Sequence, residues 1–143
     1  MKFAPMNYHY LRYPIKKFLD KVERSPFNSI DLYCSAPQLN LFDYPLLRLI
    51  ELKKEIEAHH LSVMAMTPEN CVYPVNFCTQ DDLTRESSIR YYQRAIDTAQ
   101  FLDCPCVQIS TGFGYFDDKR AYHKQRYRKD AGRDRVSVNR RNG

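Results

Sequence analysis

The sequence predicts an α/β fold with a parallel sheet, and three observations support this. Short stretches rich in apolar and β-forming residues alternate with stretches whose apolar residues recur every three or four positions. Each apolar stretch ends in a polar loop. The alternation repeats four times, roughly every 30 to 40 residues, which is typical of βαβ units joined by right-handed crossovers.

The first predicted unit is a strand at residues 2–6 followed by a helix that begins near Pro14. Proline cannot donate a hydrogen bond to a ladder, so Pro5 should lie at the end of this strand, or the strand should lie at an edge of the sheet. Proline suits the first helical position, where no backbone donor is needed. The helix is predicted to have one apolar face, and the Ser-Pro dipeptide at residues 25–26 ends it. The face consists of Ile15, Phe18, Leu19 and Val22.

The second predicted unit is a strand at residues 29–34 and a helix that ends near His60. Asp43 is the predicted N-cap of this helix, with Pro45 near its first position. His59 and His60 lie in the last turn, where the helix dipole favours imidazolium without any ligand. The predicted buried stripe comprises Leu46, Leu49, Ile50 and Ile56.

The third predicted strand, at residues 61–66, is continuously apolar apart from one serine, as in a strand buried on both faces. A polar loop follows it at residues 67–76. Ligands bind at the carboxyl ends of strands in α/β sheets, so this loop is the first candidate for a binding site.

The third predicted helix begins at Asp81 or Asp82, either of which could cap it. Its predicted apolar stripe is Ile89, Tyr92, Ala95, Ile96 and Ala99. A fourth strand at residues 106–110 leads into a glycine-containing turn, where backbone can approach a ligand closely.

The net charge of +5 is confined to the end of the chain. Residues 1–118 hold 12 Lys and Arg against 15 Asp and Glu, whereas residues 119–143 hold 10 against 2. The basic segment begins where a helix should cover the fourth strand, and it has almost no aliphatic residues. We therefore predict a structured domain at residues 1–118 and a poorly structured tail at 119–143, interpreted as an out-of-frame or otherwise altered end to a longer protein. The other interpretation is a basic arm that binds nucleic acid.

The five cysteines are an odd number in a chain without a visible secretory signal, which favours free thiols and a cytoplasmic location. None has the spacing of a structural zinc site. The longest apolar runs are far shorter than the roughly 18 residues of a membrane-spanning helix.

Two segments, MTPENCVYPVN and TRESSIRYYQRAIDTAQFLDCPCVQIS, resemble the xylose isomerase-like TIM-barrel superfamily of sugar isomerases and epimerases. The similarity is greatest to its fructoselysine 3-epimerase-like members and covers residues 1–118. The resemblance implies a partial (β/α)₈ barrel, made of about four N-terminal βα units. It also implies a divalent metal such as manganese or cobalt, bound by two Glu, an Asp and a His from strands five to eight.

This chain is expected to end after strand four, so the resemblance assigns it no metal ligand, no catalytic residue and no cofactor of its own. We expect an inactive fragment of a ketose 3-epimerase. What remains is one wall of a pocket for a sugar-like substrate. The candidate substrate-binding residues at the strand ends are Tyr8, Tyr33, Glu69, Tyr73, Asn76 and Ser110.

Glu69 is the leading candidate, because a carboxylate at a strand end can bind hydroxyls or an ammonium group. The alternative is that Glu69 caps a helix or pairs with Arg85. For the whole chain, nucleic-acid binding through the tail is the alternative function, and an apurinic endonuclease is disfavoured because metal-binding His residues are lacking at the strand ends. Self-association through exposed sheet edges is also expected.

Overall fold

The computed structural model describes residues 3–69 and 75–112, which form a parallel sheet packed against three helices. One continuous core joins the sheet to all three helices. In the described ranges no helix combines the length and apolarity needed to cross a membrane. The elements are a 3-10 helix Asn7–Tyr10, α1 Ile15–Glu23, β1 Ser29–Cys34, α2 Leu46–Ala58, β2 Ser62–Pro68 and α3 Asp82–Phe101.

The sheet consists of β1 and β2 in parallel, with one segment alongside each of them. Met6 forms a parallel bridge to Asp31 on one side, and Val107 forms one to Met66 on the other. We call residues 3–6 and 106–110 the amino-terminal and carboxyl-terminal segments. Strands were predicted at both places, whereas each segment makes a single bridge. The structure agrees with the predicted parallel α/β class, and the number of βα units stays a prediction.

The register of the sheet shifts between Ile30 and Asp31, as at a β-bulge. Beyond the shift, Leu32 lies opposite Met66, and Tyr33 lies opposite Thr67. Alternate residues of a strand point to opposite faces, so the shift decides which side chains of the two strands meet.

The helix-facing side of the sheet is fully buried, with Ile30, Leu32 and Met66 each 0% exposed. The prediction that residues 61–66 are buried on both faces is wrong. Met64 and Ala65 are only half-buried, because the described helices pack against the helix-facing side of the sheet.

Helix α1 confirms its predicted face, with Phe18, Leu19 and Val22 buried. Helix α2 departs from prediction at its start. Its N-cap is Pro45, and Asp43 lies outside the helix, so the predicted cap is wrong.

The buried face of α2 also differs from the predicted stripe. Leu49, Leu52 and Ile56 are buried at spacings of three and four, and this sets the direction of the face. Leu46 lies in the first turn outside this sector and is 64% exposed, so its predicted burial is wrong.

Asp81 was one of the two predicted caps of helix α3, and it is the N-cap. Its Oδ2 accepts a hydrogen bond from the Thr84 amide at 2.8 Å. The predicted stripe is displaced around the helix. Ile89 and Ile96 are 44% and 50% exposed, so their predicted burial is wrong. The side chains that are buried instead include more small and polar groups: Ser88, Tyr91, Tyr92, Ala95, Thr98 and Ala99.

The displacement of the α3 stripe follows from how α3 meets the loop before α2. Arg94 donates hydrogen bonds to the carbonyl oxygens of Phe42 and Tyr44, at 3.1 and 2.9 Å. At about 100° per residue, Ile89 and Ile96 lie on roughly the opposite flank from Arg94. Within the described residues that flank remains exposed.

Candidate functional site

The predicted binding site lies at the carboxyl end of the sheet, which we call the mouth and define by Tyr8, Tyr33, Glu69 and Ser110. Tyr33 is near the end of β1, and Glu69 directly follows β2. The Glu69 amide donates to the Cys34 carbonyl oxygen at 3.1 Å, which holds the two strand ends together.

Tyr33 and Glu69 are in direct contact. The Tyr33 hydroxyl donates a hydrogen bond to Oε2 of Glu69. The Tyr33 ring is 6% exposed, so the carboxylate is held by a side chain that is itself fixed by packing. The alternative partner, Arg85, instead pairs with Asp82 and donates to the Thr79 carbonyl oxygen.

Tyr8 covers this pair from the side of the 3-10 helix. Its ring meets the Tyr33 ring edge-on, with centroids 5.0 Å apart and an interplanar angle of 84°. Tyr8 is 52% exposed, so its ring remains available to a ligand. The structure thus brings together Tyr8, Tyr33 and Glu69, three of the six predicted site residues.

Asn7 fixes the position of Tyr33 and was not identified from the sequence as a site residue. Its side-chain Oδ1 accepts from the Tyr33 amide at 2.7 Å, and its Nδ2 donates to the Tyr33 carbonyl oxygen at 3.1 Å. The same Nδ2 donates to Oε1 of Gln38 at 2.6 Å. Asn7 is 0% exposed, so its amide completes the backbone hydrogen bonds of β1 where the amino-terminal segment turns away.

Two aromatic residues of α3 anchor the backbone of the mouth. The Tyr91 hydroxyl donates to the Glu69 carbonyl oxygen at 2.9 Å, and the Tyr92 hydroxyl accepts from the Ser110 amide at 3.0 Å. Burial raises the pKa of Tyr91, so this hydroxyl keeps its proton for the bond. Sequence analysis placed only Tyr92 in the helix stripe and missed both anchoring roles.

A row of polar side chains lies below the mouth on the same face of the sheet; we call it the inner polar row and define it by Asp31, Thr67 and Gln108. The Thr67 hydroxyl donates to Oδ1 of Asp31 at 2.9 Å and lies 3.2 Å from Oε1 of Gln108. Burial raises the pKa of Asp31, and the hydrogen bond from Thr67 offsets part of that rise. The row links β1, β2 and the carboxyl-terminal segment.

The remaining predicted residues are placed differently. Asn76 shapes the loop before α3: its amide donates to Oγ of Ser88 at 2.8 Å, and its Oδ1 accepts from the Cys78 amide at 2.9 Å. A Cβ at Gly112, whose φ is +84°, would lie 2.2 Å from that Oδ1, so glycine is needed there. Tyr73 and residues 119–143 lie outside the described residues.

The mouth does not have the donor set of a metal centre in the described ranges. Glu69 is the acidic group of the mouth and Asp31 that of the inner polar row, and neither belongs to a group of three His, Cys, Asp or Glu side chains in the described residues. The group of three such side chains found in residues 3–69 and 75–112 lies elsewhere, on the helices. We therefore derive no step through a metal at the mouth.

The chain matches the model of a known protein family. Residues 19–137 match the family model described as xylose isomerase-like TIM barrel. The matched range includes residues 119–137, so the boundary at residue 118 stays a prediction. No curated protein sequence matches the chain significantly.

Proposed function

The chain belongs to the xylose isomerase-like TIM barrel family, and from this premise we propose that it forms the substrate-binding wall of a sugar isomerase or epimerase. In its finer form the proposal is a ketose 3-epimerase similar to the fructoselysine 3-epimerase-like members. The manganese- or cobalt-type metal and the proton-transferring carboxylates of such an enzyme would lie outside the described residues. If those groups are not part of this chain, it binds a sugar without converting it.

The observation that carries the proposal is the contact of Tyr33 with Glu69 beneath the exposed ring of Tyr8. A carboxylate accepts hydrogen bonds at two oxygens, and it can accept from a sugar hydroxyl in addition to Tyr33. An exposed aromatic ring can pack against the C–H face of a sugar. A fixed acceptor beside an aromatic ring is therefore suited to binding a polyhydroxylated ligand.

The inner polar row would supply the deeper contacts of the same pocket. Asp31 accepts from Thr67, and Gln108 adds an amide with both donor and acceptor capacity. These groups lie on the face of the sheet opposite the core. A ligand that entered from the mouth would meet Glu69 first and this row next.

Chemical-shift mapping with a ketose such as fructose tests the proposed pocket. Titration should shift the NMR signals of Tyr8, Tyr33 and Ser110, while signals of the exposed residues of α1 and α2 stay constant. Shifts confined to the helices would place any sugar site elsewhere and contradict the proposal.

Turnover measurements test whether the chain alone is inactive. The purified chain, incubated with ketoses and manganese or cobalt, should give no epimerised product. Product formed by this polypeptide alone would show that the chain carries its own catalytic groups and would contradict the expectation that it is inactive alone.

We propose self-association as a further property of the sheet. Phe3 and Ile109, on the two segments that flank the sheet, are 63% and 55% exposed, and apolar groups beside weakly paired strands favour association. Sizing chromatography should show a species larger than one chain at high concentration, and a monomer there would contradict this. The family membership does not favour the nucleic-acid alternative, whose basic residues 119–143 lie outside the described part.

A further inference from the structure

Three side chains capable of binding a metal meet at the carboxyl ends of α1 and α2; we call Asp20, Glu23 and His59 the helix-end cluster. One ligand atom from each lies within 4.8 Å of the others. Both helices lead directly into the strands that follow them, so the cluster lies at the amino ends of β1 and β2. It is therefore separate from the mouth.

The hydrogen bonds of His59 require a cation at the cluster. Its Nδ1 lies 2.7 Å from the Glu55 carbonyl oxygen, which can only accept, so Nδ1 carries a proton. Its Nε2 lies 3.0 Å from Oδ1 of Asp20. A neutral ring would thus point a lone pair at a carboxylate, and either a second proton or a metal ion must lie between them.

The surroundings of His59 favour positive charge at Nε2. Nε2 faces Oδ1 of Asp20 at 3.0 Å, and a carboxylate oxygen of Glu23 lies within 4.8 Å of both atoms. Lys16, the closest competing cation, lies 2.7 Å from Asp20 but is 61% exposed, so it can leave at little cost.

The arrangement matches what zinc-class metals require. Imidazole nitrogens and carboxylate oxygens are both zinc ligands, and a zinc ion held by three protein ligands keeps a water in its fourth position. Metal-binding His residues usually donate their other ring nitrogen to a carbonyl or a carboxylate, as Nδ1 of His59 does here. The Glu55 carbonyl oxygen is not one of the three ligands. Its hydrogen bond with Nδ1 turns Nε2 toward the carboxylates of Asp20 and Glu23. His59 is 8% exposed, so its ring is already held in that orientation.

We propose that the helix-end cluster is a binding site for a zinc-class divalent ion, which joins the ends of α1 and α2 through Asp20, Glu23 and Nε2 of His59. Ligands of a tetrahedral zinc ion lie roughly 3.3 Å apart, so Asp20 and His59 need to separate by only a few tenths of an ångström. The proposal does not depend on the proposed sugar-related function, because its site and readout are different.

Thermal unfolding of the full chain with and without zinc tests the proposal. Zinc at about ten times its Kd should raise the Tm by about 3–8 °C, because an ion that binds the folded state more tightly than the unfolded chain stabilises the fold. Four variants assign the effect. His59→Gln should abolish the shift, Glu23→Gln should at least halve it, and His60→Asn, at the neighbouring exposed histidine, should keep it. Lys16→Met should raise zinc affinity about twofold by releasing Asp20.

The variants also distinguish zinc bound at the helix-end cluster from zinc bound by the thiols, since every variant retains all five cysteines. Glu23→Gln keeps both hydrogen bonds of His59, so the test stands even if His59→Gln fails to fold. An unchanged Tm in the parent chain would show that the cluster holds only a proton. Equal shifts in the parent, His59→Gln and Glu23→Gln would place the metal elsewhere. Either result would overturn the proposal.

Discussion

The two faces of the sheet differ in composition although they belong to the same two strands. The helix-facing side carries Ile30, Leu32 and Met66, all 0% exposed. The other side carries Asp31, Tyr33 and Thr67, which bond to one another or to the mouth. Side chains that alternate along one strand thus divide between the core and the proposed binding face, and the proposed binding face retains a carboxyl group whose charged form burial disfavours.

The largest expected effect comes from the helix-facing side. Leu32→Ala should lower the free energy of unfolding by about 2–5 kcal/mol, because it removes a fully buried side chain and leaves a cavity. Urea denaturation measures the change. Leu47→Ala, at a leucine that is 66% exposed on α2, is the matched control and should change stability by less than about 0.5 kcal/mol. Similar losses in the two variants would remove the distinction between the faces.

A smaller effect is expected where the core meets the mouth. Tyr91→Phe removes the hydroxyl that holds the Glu69 carbonyl and should cost about 1–3 kcal/mol. It should also weaken sugar binding, because Glu69 loses an anchor. Urea denaturation and ligand titration are both needed, with Tyr13→Phe at an exposed ring as control. A loss of stability with unchanged sugar affinity would show that the mouth does not need this anchor.

The smallest expected change in stability is a gain rather than a loss, and it should depend on pH. The pKa of Asp31 is raised by folding, so its carboxyl stabilises the fold only while protonated, and that contribution is lost as pH rises through the folded pKa. Asp31→Asn should therefore be more stable than the parent at pH 7 and not at pH 3. The gain should stay below about 1 kcal/mol, because a half-buried carboxylate is still screened by solvent.

Urea denaturation at the two pH values measures this difference. Asp43→Asn makes the same chemical change at an exposed aspartate before α2 and is the matched control. If Asp31→Asn lowered stability at pH 7, the ionised carboxylate would be stabilising the inner polar row, and the assignment of that face would need revision.

The elements that the sequence predicted best are those with local signals. The apolar face of α1 repeats at helical spacing, and Asp81 caps α3 through the backbone three residues later. Both patterns depend only on neighbours in sequence. The run of residues 61–66 likewise located β2, which the structure places at Ser62–Pro68.

The features that the sequence did not predict depend on contacts between distant residues. The contact of Asp31 with Thr67 requires the register shift after Ile30, which has no local signal in either strand. The role of Asn7 depends on β1 lying beside it, since its side chain bonds to the backbone of Tyr33, 26 residues away. The burial error at Ile89 and Ile96 arose because periodicity gives the spacing of a stripe and not the direction it faces.

The most direct test of the central claim is the affinity of the chain for a ketose before and after Glu69→Gln, measured by calorimetry beside Glu86→Gln. Glu86 is an exposed carboxylate on α3, so its variant makes the same chemical change away from the mouth. Loss of a charged acceptor should weaken binding about 10- to 100-fold for Glu69→Gln and leave Glu86→Gln like the parent. Equal affinities in all three chains, or equal losses in both variants, would contradict the assignment of the mouth as the sugar site.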